Sequence, residues 1–456
     1  MSDRIPVTIL SGALGAGKTT TLNHLLEHNE GHDIAVLVND MGEINVDAEL
    51  LSTGSELSAA TGIAELSNGC ICCERQDDLE TEVSRLARSY DFEYLVVEAS
   101  GISEPAPIAR LFTTESRAAA RYAVDTTVTV VDARSFYDAF LEGEVAGEGA
   151  VPSRETAPGD TDRPLSDLLI EQVEFADVVL CNKTDLLSET EREGVREVIR
   201  TLQPEARVHE TTFGAVEAEA ILGTGLFDPR RTGERAGWKR AFDRAETSDG
   251  PTDQPGVESH DSADEDGHEH DADHSHDHQP HSHGHHDHAH DEDGTHEHTH
   301  RSPADVYGVT SVAFRRNRPL DPERFRAFLE SLPANVIRAK GRCWVAGRDE
   351  TVQVLNVAGR SIRIETAGRW IASLPERERS LYRANRTADY WHPTWGDREV
   401  RLVFIGRNLN ESELESRLDD CLVADQELSE DDGTTESWAD AAREFPDEDG
   451  DVLVVR

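Results

Sequence analysis

The sequence predicts an α/β fold, in which a parallel β-sheet carries helices on both faces, followed by a smaller α+β domain. Three observations support this prediction. Short apolar runs alternate with helical segments in the first half, a stretch rich in Asp, Glu, Gly and His occupies 243–302, and apolar runs resume near residue 306. A chain of 456 residues is also too long for a single hydrophobic core.

The first half contains five apolar runs that are typical of buried strands in a parallel sheet. We predict these strands at 5–10, 34–39, 94–98, 127–132 and 177–182. We predict helices at 18–28, 79–89 and 165–174, and a surface insertion at the Gly-, Glu- and Pro-rich residues 141–163. Strands that alternate with helices form parallel sheets, because a helical crossover returns the chain to the edge where it started.

For the second half of the chain, the sequence predicts a mainly antiparallel sheet with a few helices. Its predicted strands are 307–315, 335–346, 351–357, 361–366 and 399–406, and its predicted helices are 322–331 and 411–422. The segment between the halves has almost no large apolar residue, so we predict a disordered linker there. The expected division is an α/β domain at 1–225, an acidic His-rich linker at 226–305, an α+β domain at 306–425 and an acidic tail at 426–456.

The charge balance argues against two classes of partner. The chain has 91 acidic and 45 basic residues, for a formal net charge of -46. Nucleic acids and anionic membrane surfaces would repel such a chain, so we expect neither as a partner. Its lysines are few and its arginines many, which is typical of a halophilic protein adapted to high salt.

The sequence shows no signal peptide and no membrane-spanning run, so we expect a cytoplasmic protein with reduced thiols.

Residues 12–19, Gly-Ala-Leu-Gly-Ala-Gly-Lys-Thr, fit the G-x-x-x-x-G-K-[ST] pattern of a phosphate-binding loop. Its glycines let consecutive N–H groups turn toward phosphate, Lys18 contacts the β- and γ-phosphates, and the Thr19 hydroxyl ligates Mg²⁺. A predicted strand precedes the pattern and a predicted helix follows it, so we predict a P-loop NTPase fold. The candidate nucleotide-binding residues here are Gly12, Gly15, Ala16, Gly17, Lys18, Thr19 and Thr20.

Two further strand ends complete the predicted nucleotide site. Glu98 follows the apolar run 94–97 and is placed to reach the Mg²⁺ shell, and Gly101 can offer its N–H to the γ-phosphate. Asn182, Lys183 and Asp185 form an N-K-x-D pattern after another strand. The Asp185 carboxylate can accept hydrogen bonds from the ring N–H and the amino group of guanine, which adenine lacks at that edge. We therefore expect GTP rather than ATP, with Lys183 over the base and Asn182 tying this loop to the phosphate loop.

Three cysteines, Cys70, Cys72 and Cys73, stand within four residues. Thiolates this close suit Zn²⁺ or Cu(I), and three ligands leave a fourth position open for a metal that is handed on. A redox or inert cluster is the alternative interpretation. The cluster falls between the phosphate loop and Glu98, where GTPases keep their switch segments, so we expect metal binding to depend on the γ-phosphate. Cys181 and the other isolated cysteines, Cys343 and Cys421, are expected to be buried hydrophobic residues.

The linker carries repeated His-x-His pairs, and imidazole binds Zn²⁺, Ni²⁺, Cu²⁺ and Co²⁺. We predict that this tract collects metal, and a solvated acidic spacer is the alternative. Its candidate ligands are His274, His276, His278, His281, His283 and His285.

These features together resemble the CobW-like family of metal-chaperone GTPases. The Cys70–Cys73 motif matches the family's C-x-C-C, and residues 39–47 and 98–105 resemble its switch segments, with Asp40, Met41 and Ala99 as departures. Residues 318–325, 338–344 and 404–406 resemble its C-terminal domain. The resemblance implies slow GTP hydrolysis with Mg²⁺, coupled to delivery of Zn²⁺, or of Co²⁺ or Ni²⁺, to a client metalloprotein.

By the same resemblance, Glu43 and Asp47 would be switch residues near the nucleotide. The candidate catalytic residues are then Lys18, Thr19, Glu98 and Glu43, with no catalytic base assigned. Two other interpretations stay open: an assembly factor for a cobalamin-pathway or nitrile-hydratase-type metalloenzyme, and a metal buffer or sensor without catalysis. The sequence also leaves open whether the chain forms a homo-oligomer.

Overall fold

The structure of the chain is a computed structural model. It describes residues 4–29, 31–38, 63–65, 83–88, 90–113, 116, 118–141, 164–230, 236, 239–240, 308–385, 391–424, 438, 440–448 and 450–455. The predicted surface insertion at 141–163 and the predicted linker fall almost wholly outside these residues.

The first domain is built on a seven-stranded sheet in which every pair of neighbouring strands is parallel. The strand order is β3-β2-β4-β1-β5-β6-β7. The strands are β1 (Ile5–Gly12), β2 (Ile34–Val38), β3 (Ile63–Glu65), β4 (Tyr94–Glu98), β5 (Tyr122–Asp132), β6 (Val178–Asn182) and β7 (Arg207–Glu210). Because β1 lies at the centre, the loop that follows it emerges in the middle of the sheet's carboxyl edge.

Helices cover both faces of this sheet, as predicted. They are α1 (Lys18–Glu27), α2 (Pro105–Thr113), α3 (Ala133–Phe140), α4 (Leu165–Phe175) and α5 (Glu189–Leu202), and residues 83–88 are also helical. Successive strand residues point to opposite faces. Val36 and Val38 accordingly pack with Leu22 of α1, whereas Ala35 and Leu37 pack in a separate cluster on the other side.

The second domain is a six-stranded sheet in which every pair of neighbouring strands is antiparallel. Its order is β13-β11-β10-β9-β12-β8. The strands are β8 (Val309–Arg316), β9 (Val336–Cys343), β10 (Thr351–Ala358), β11 (Ser361–Arg369), β12 (Val400–Arg407) and β13 (Val452–Val455). Its helices are α6 (Pro322–Glu330), α7 (Glu376–Asn385) and α8 (Glu411–Asp419).

The prediction that 426–456 is an acidic tail outside the second domain is wrong for its last part, which packs on that domain. β13 pairs with β11 and completes one edge of the sheet. Phe445 is buried in the core of the second domain, where its ring stacks on Phe325 at 6.2 Å between centroids. A few apolar residues within an acidic segment are enough to hold it against the domain, because each buried large side chain contributes about 1.5–3 kcal/mol.

The two domains share one apolar cluster, which we call the domain interface. Val403 and Ile405 of β12 are buried in the same cluster as Val179 of β6 and Ile199 of α5. One face of the antiparallel sheet therefore packs on helices of the first domain. Among the helices that the structure describes, none combines the length and apolar character needed to cross a bilayer.

Candidate nucleotide site

The phosphate loop turns sharply between β1 and α1, and two glycines make the turn feasible. Gly12 has φ 141°, and a Cβ there would lie 2.2 Å from the Val130 carbonyl oxygen. Gly17 has φ 106°, and a Cβ there would lie 2.3 Å from Nδ2 of Asn182. Gly17 caps α1 without a side-chain hydrogen bond, so the first N–H groups of this helix are not capped by a side chain. Such a helix start attracts phosphate.

The buried ammonium group of Lys18 lies within this loop. Its Nζ donates to the carbonyl oxygens of Gly12, at 2.9 Å, and Ala13, at 3.1 Å. The ammonium group is thus positioned at the predicted phosphate site. Gly15 has no atom within 4 Å of an added Cβ, so the loop is open beside it.

Thr19 and Glu98 meet across the first turn of α1 and the end of β4. The Thr19 hydroxyl donates to Oε1 of Glu98 at 3.0 Å, and the Glu98 carboxylate is buried. A hydroxyl beside a buried carboxylate is an oxygen donor set that fits Mg²⁺. Thr20, the next residue of α1, is exposed.

Asn182 joins the predicted guanine-recognition loop to the phosphate loop, as expected. Its Nδ2 donates to the Ala16 carbonyl oxygen at 2.9 Å. Its Oδ1 accepts hydrogen bonds from Thr211 Oγ1, at 3.2 Å, and Gly214 N, at 3.0 Å. The sequence prediction missed the loop 211–214, which no motif marks. Phe213 in this loop is 77% exposed, so an aromatic side chain lies beside the predicted guanine-recognition loop.

Lys183 and Asp185 take different positions in this loop. Lys183 has φ 62°, and its Nζ pairs with Oδ2 of Asp132 at 2.7 Å. The Asp132 Oδ1 accepts from the N–H of Ser135 and caps α3. Asp185 lies in a 3₁₀ turn with an exposed side chain, so its carboxylate is accessible to a ligand.

Gly101 lies in a tight turn that packs on the phosphate loop. The N–H of Ser103 donates to the Ser100 carbonyl oxygen at 3.0 Å and closes the turn. A Cβ on Gly101 would lie 2.7 Å from the backbone nitrogen of Leu14. The turn that carries Gly101 is therefore in direct contact with the phosphate loop.

The predicted thiolate and imidazole ligands fall outside the described residues, as does Glu43. These are Cys70, Cys72, Cys73, His274, His276, His278, His281, His283 and His285. Among the described residues, no group of three or more His, Cys, Asp or Glu side chains could hold a metal ion. The three described cysteines are buried, and burial raises the thiol pKa to about 12 for Cys181, about 12 for Cys343 and about 11 for Cys421. They are poor thiolate ligands.

The strand β3 brings the chain to the nucleotide edge before the cysteine motif begins. Glu65, the last residue of β3, is in register with Val38, and Val38 is in register with Glu98. All three therefore lie at the carboxyl edge of the sheet. Cys70 follows Glu65 by five residues, which span at most about 18 Å.

Comparison with known proteins identifies the family. The CobW/HypB/UreG nucleotide-binding domain matches residues 6–210, and the cobalamin synthesis protein cobW C-terminal domain matches residues 309–422. The zinc-regulated GTPase metalloprotein activator 1 of Dictyostelium discoideum is 34% identical over 445 residues, which cover 93% of this chain and 81% of that protein. This chain belongs to the CobW family.

Other CobW relatives match about half of the chain. The zinc chaperone CobW of Pseudomonas aeruginosa is 37% identical over 230 residues, which cover 48% of this chain and 60% of that protein. The zinc chaperone YjiA of Escherichia coli is 32% identical over 228 residues, covering 49% of this chain and 62% of that protein. The CobW family consists of P-loop GTPases, which agrees with the guanine nucleotide predicted from the loop at 182–185.

Proposed function

We propose that this chain is a GTP-hydrolysing metal chaperone. It binds a transition metal, primarily zinc, at Cys70-Ile71-Cys72-Cys73 and transfers the ion to a client metalloprotein. The observation that supports this most directly is the common edge at which Glu65 and Glu98 end their strands. The chain that leads into the cysteine motif therefore starts two strands away from Glu98, at the same edge of the sheet. The relatives named as zinc chaperones support zinc as the metal.

The nucleotide half of the proposal is supported by the charges and donors around the phosphate loop. Lys18 and the first turn of α1 supply positive charge and N–H donors for phosphate. Thr19 and Glu98 would hold Mg²⁺, and the ion when bound neutralises charge on the phosphates. Asp185 would select guanine. Gly101, which contacts the phosphate loop, would donate its N–H to the γ-phosphate.

The metal half rests on the chemistry of closely spaced thiolates. Three cysteines supply soft ligands for Zn²⁺ and leave one coordination position for a client ligand. We propose that GTP orders these thiolates for binding and that loss of the γ-phosphate releases the ion. Binding linkage then requires zinc to change the affinity for GTP by the same factor.

Replacing Cys70, Cys72 and Cys73 together by serine tests the metal half. We expect the loss of one tightly bound zinc ion per chain, because hydroxyls are much weaker zinc ligands than thiolates. Zinc should be measured by equilibrium dialysis with GTP, with GDP and without nucleotide, on a chain whose residues 260–300 are deleted. The deletion keeps the imidazoles from masking the result.

The matched control is Cys421→Ser, because the Cys421 Sγ contacts the backbone oxygens of Arg324 and Arg417 within the second domain. With residues 260–300 also deleted, this variant should bind as much zinc as the deletion chain with all its cysteines. Zinc uptake that is the same in the triple variant and in this control, with every nucleotide, would falsify metal binding at the cysteine motif.

Deleting residues 260–300 from the otherwise unaltered chain tests the histidine tract. We expect a lower number of bound metal ions with nearly unchanged GTP hydrolysis, because the predicted catalytic residues lie elsewhere. Metal content by elemental analysis and phosphate release provide the two readouts. A chain with these histidines replaced by glutamine is the control for segment length, and unchanged metal content in both would reduce the tract to a spacer.

A further inference from the structure

Gln172 of α4 reaches the turn that carries Gly101. Its side chain is fully buried, and its Nε2 donates to the Ser103 carbonyl oxygen at 3.1 Å. Ser103 closes the turn 100–103, which packs on Leu14 of the phosphate loop. The glutamine therefore holds, by a hydrogen bond from α4, the same turn that packs on the phosphate loop.

A buried chain of polar groups connects the same residue to the start of the phosphate loop. The Thr129 hydroxyl donates to the Gln172 carbonyl oxygen at 2.8 Å. The Ser11 hydroxyl lies 2.9 Å from the Thr129 hydroxyl, and Ser11 directly precedes Gly12. All of these side chains are buried, and a close-packed protein interior has low compressibility and transmits strain.

The same helix also carries the polar contacts to the second domain. Glu174 accepts hydrogen bonds from Nε and Nη2 of Arg338, at 2.9 and 3.1 Å. Asp167 pairs with Arg363 at 3.4 Å. α4 thus touches the turn that faces the γ-phosphate position through Gln172 and touches the antiparallel sheet through its carboxylates.

We infer that Gln172 is a positioning residue that fixes the turn 100–103 for the γ-phosphate, and that the second domain acts on GTP recognition through α4 and this side chain. The inference rests on the GTP-binding part of the proposed function. GDP lacks the γ-phosphate, so its binding depends on the phosphate loop and the guanine-recognition loop alone. A displaced turn therefore weakens GTP binding and leaves GDP binding unchanged.

The test is the ratio of affinities for a non-hydrolysable GTP analogue and for GDP, measured with the full chain. Gln172→Met should weaken binding of the analogue about tenfold, the effect of one lost hydrogen bond, and change GDP binding by less than about twofold. Gln172→Asn, whose shorter amide cannot reach Ser103, should do the same and provides the measurement if the methionine variant does not fold.

The matched control is Gln203→Met. Gln203 is also a buried glutamine that contacts α4, since its Nε2 donates to the Glu174 carbonyl oxygen at 2.5 Å, but it does not contact the turn 100–103. It should leave the GTP-to-GDP ratio unchanged. An equal loss of both nucleotides in the Gln172 variants, or no loss at all, would show that Gln172 has only a structural role and would overturn the inference.

A double variant tests the link to the second domain. Arg363→Met, which removes the ion pair between Arg363 and Asp167, should lower the ratio in the unaltered chain and have no further effect in the Gln172→Met chain. Additive effects of the two changes would overturn the coupling through Gln172. Failure of the proposed function itself has a different signature, since the unaltered chain would then bind neither guanine nucleotide.

Discussion

Replacing Asp185 by asparagine is expected to weaken GTP binding by at least about a hundredfold, since two hydrogen bonds to a charged acceptor contribute about 1.5–3 kcal/mol each. The exposed Asp185 carboxylate has two acceptor oxygens for the two neighbouring donors of guanine. An asparagine keeps one acceptor and places an N–H against the remaining donor. Equilibrium titration with GTP and GDP measures the effect, which should be the same for both nucleotides.

Xanthosine triphosphate provides the internal control for this change. It carries an oxygen where guanine carries the amino group, so the Asp185→Asn chain should bind it more tightly than the unaltered chain does. Glu189→Gln is the matched surface control, because the Glu189 side chain is 74% exposed and lies at the start of α5. If the asparagine variant bound GTP as the unaltered chain does, guanine recognition by Asp185 would be wrong.

Replacing Arg338 by methionine is expected to destabilise the folded chain by about 3–5 kcal/mol, because it leaves a buried carboxylate without its partner. The side chains of Arg338 and Glu174 are 1% and 7% exposed, and the pair joins the two domains. Chemical denaturation followed by tryptophan fluorescence should show a lower midpoint.

Two companion variants separate the buried charge from the lost contact. Arg338→Met combined with Glu174→Leu should recover most of the stability, because an apolar pair of similar volume often replaces a buried ion pair without loss. Lys340→Met removes a looser contact, 3.9 Å from Glu171, and should cost under about 1 kcal/mol. A midpoint for Arg338→Met equal to that of Lys340→Met would contradict a special role for the buried pair.

The main strands of both sheets are predictable from local sequence. Those of the parallel sheet are mostly short apolar runs, and those of the antiparallel sheet are segments in which apolar and polar residues are interspersed. β3 and β7 are not. Ile63–Glu65 is only three residues long, and Arg207–Glu210 is an edge strand with mostly polar residues, so neither has the apolar run on which the prediction depends. β13 was missed for a different reason: Val452–Val455 is an apolar run, but it has only four residues and follows an acidic segment.

Some residues of the candidate nucleotide site were predictable from short motifs, whereas contacts between distant segments of the chain were not. Lys18, Thr19, Glu98 and Asn182 belong to short motifs whose spacing follows from the chemistry of phosphate and guanine, so their neighbours were predictable. Gln172 was not: it is separated from Ser103 by 69 residues, and no spacing rule marks such a contact. The anchoring of Asn182 by the loop 211–214 depends in the same way on the packing of β7 beside β6.

The shared apolar cluster at the domain interface limits how the two domains can move during the proposed GTPase cycle. A hinge rotation of the second domain away from the first would expose Val403 and Ile405 to water. It would also separate Arg338 from Glu174. Both changes are unfavourable in free energy, so we expect the two domains to move together as one rigid body. Movement that accompanies phosphate loss is then confined to short segments at the carboxyl edge of the parallel sheet, such as the turn 100–103.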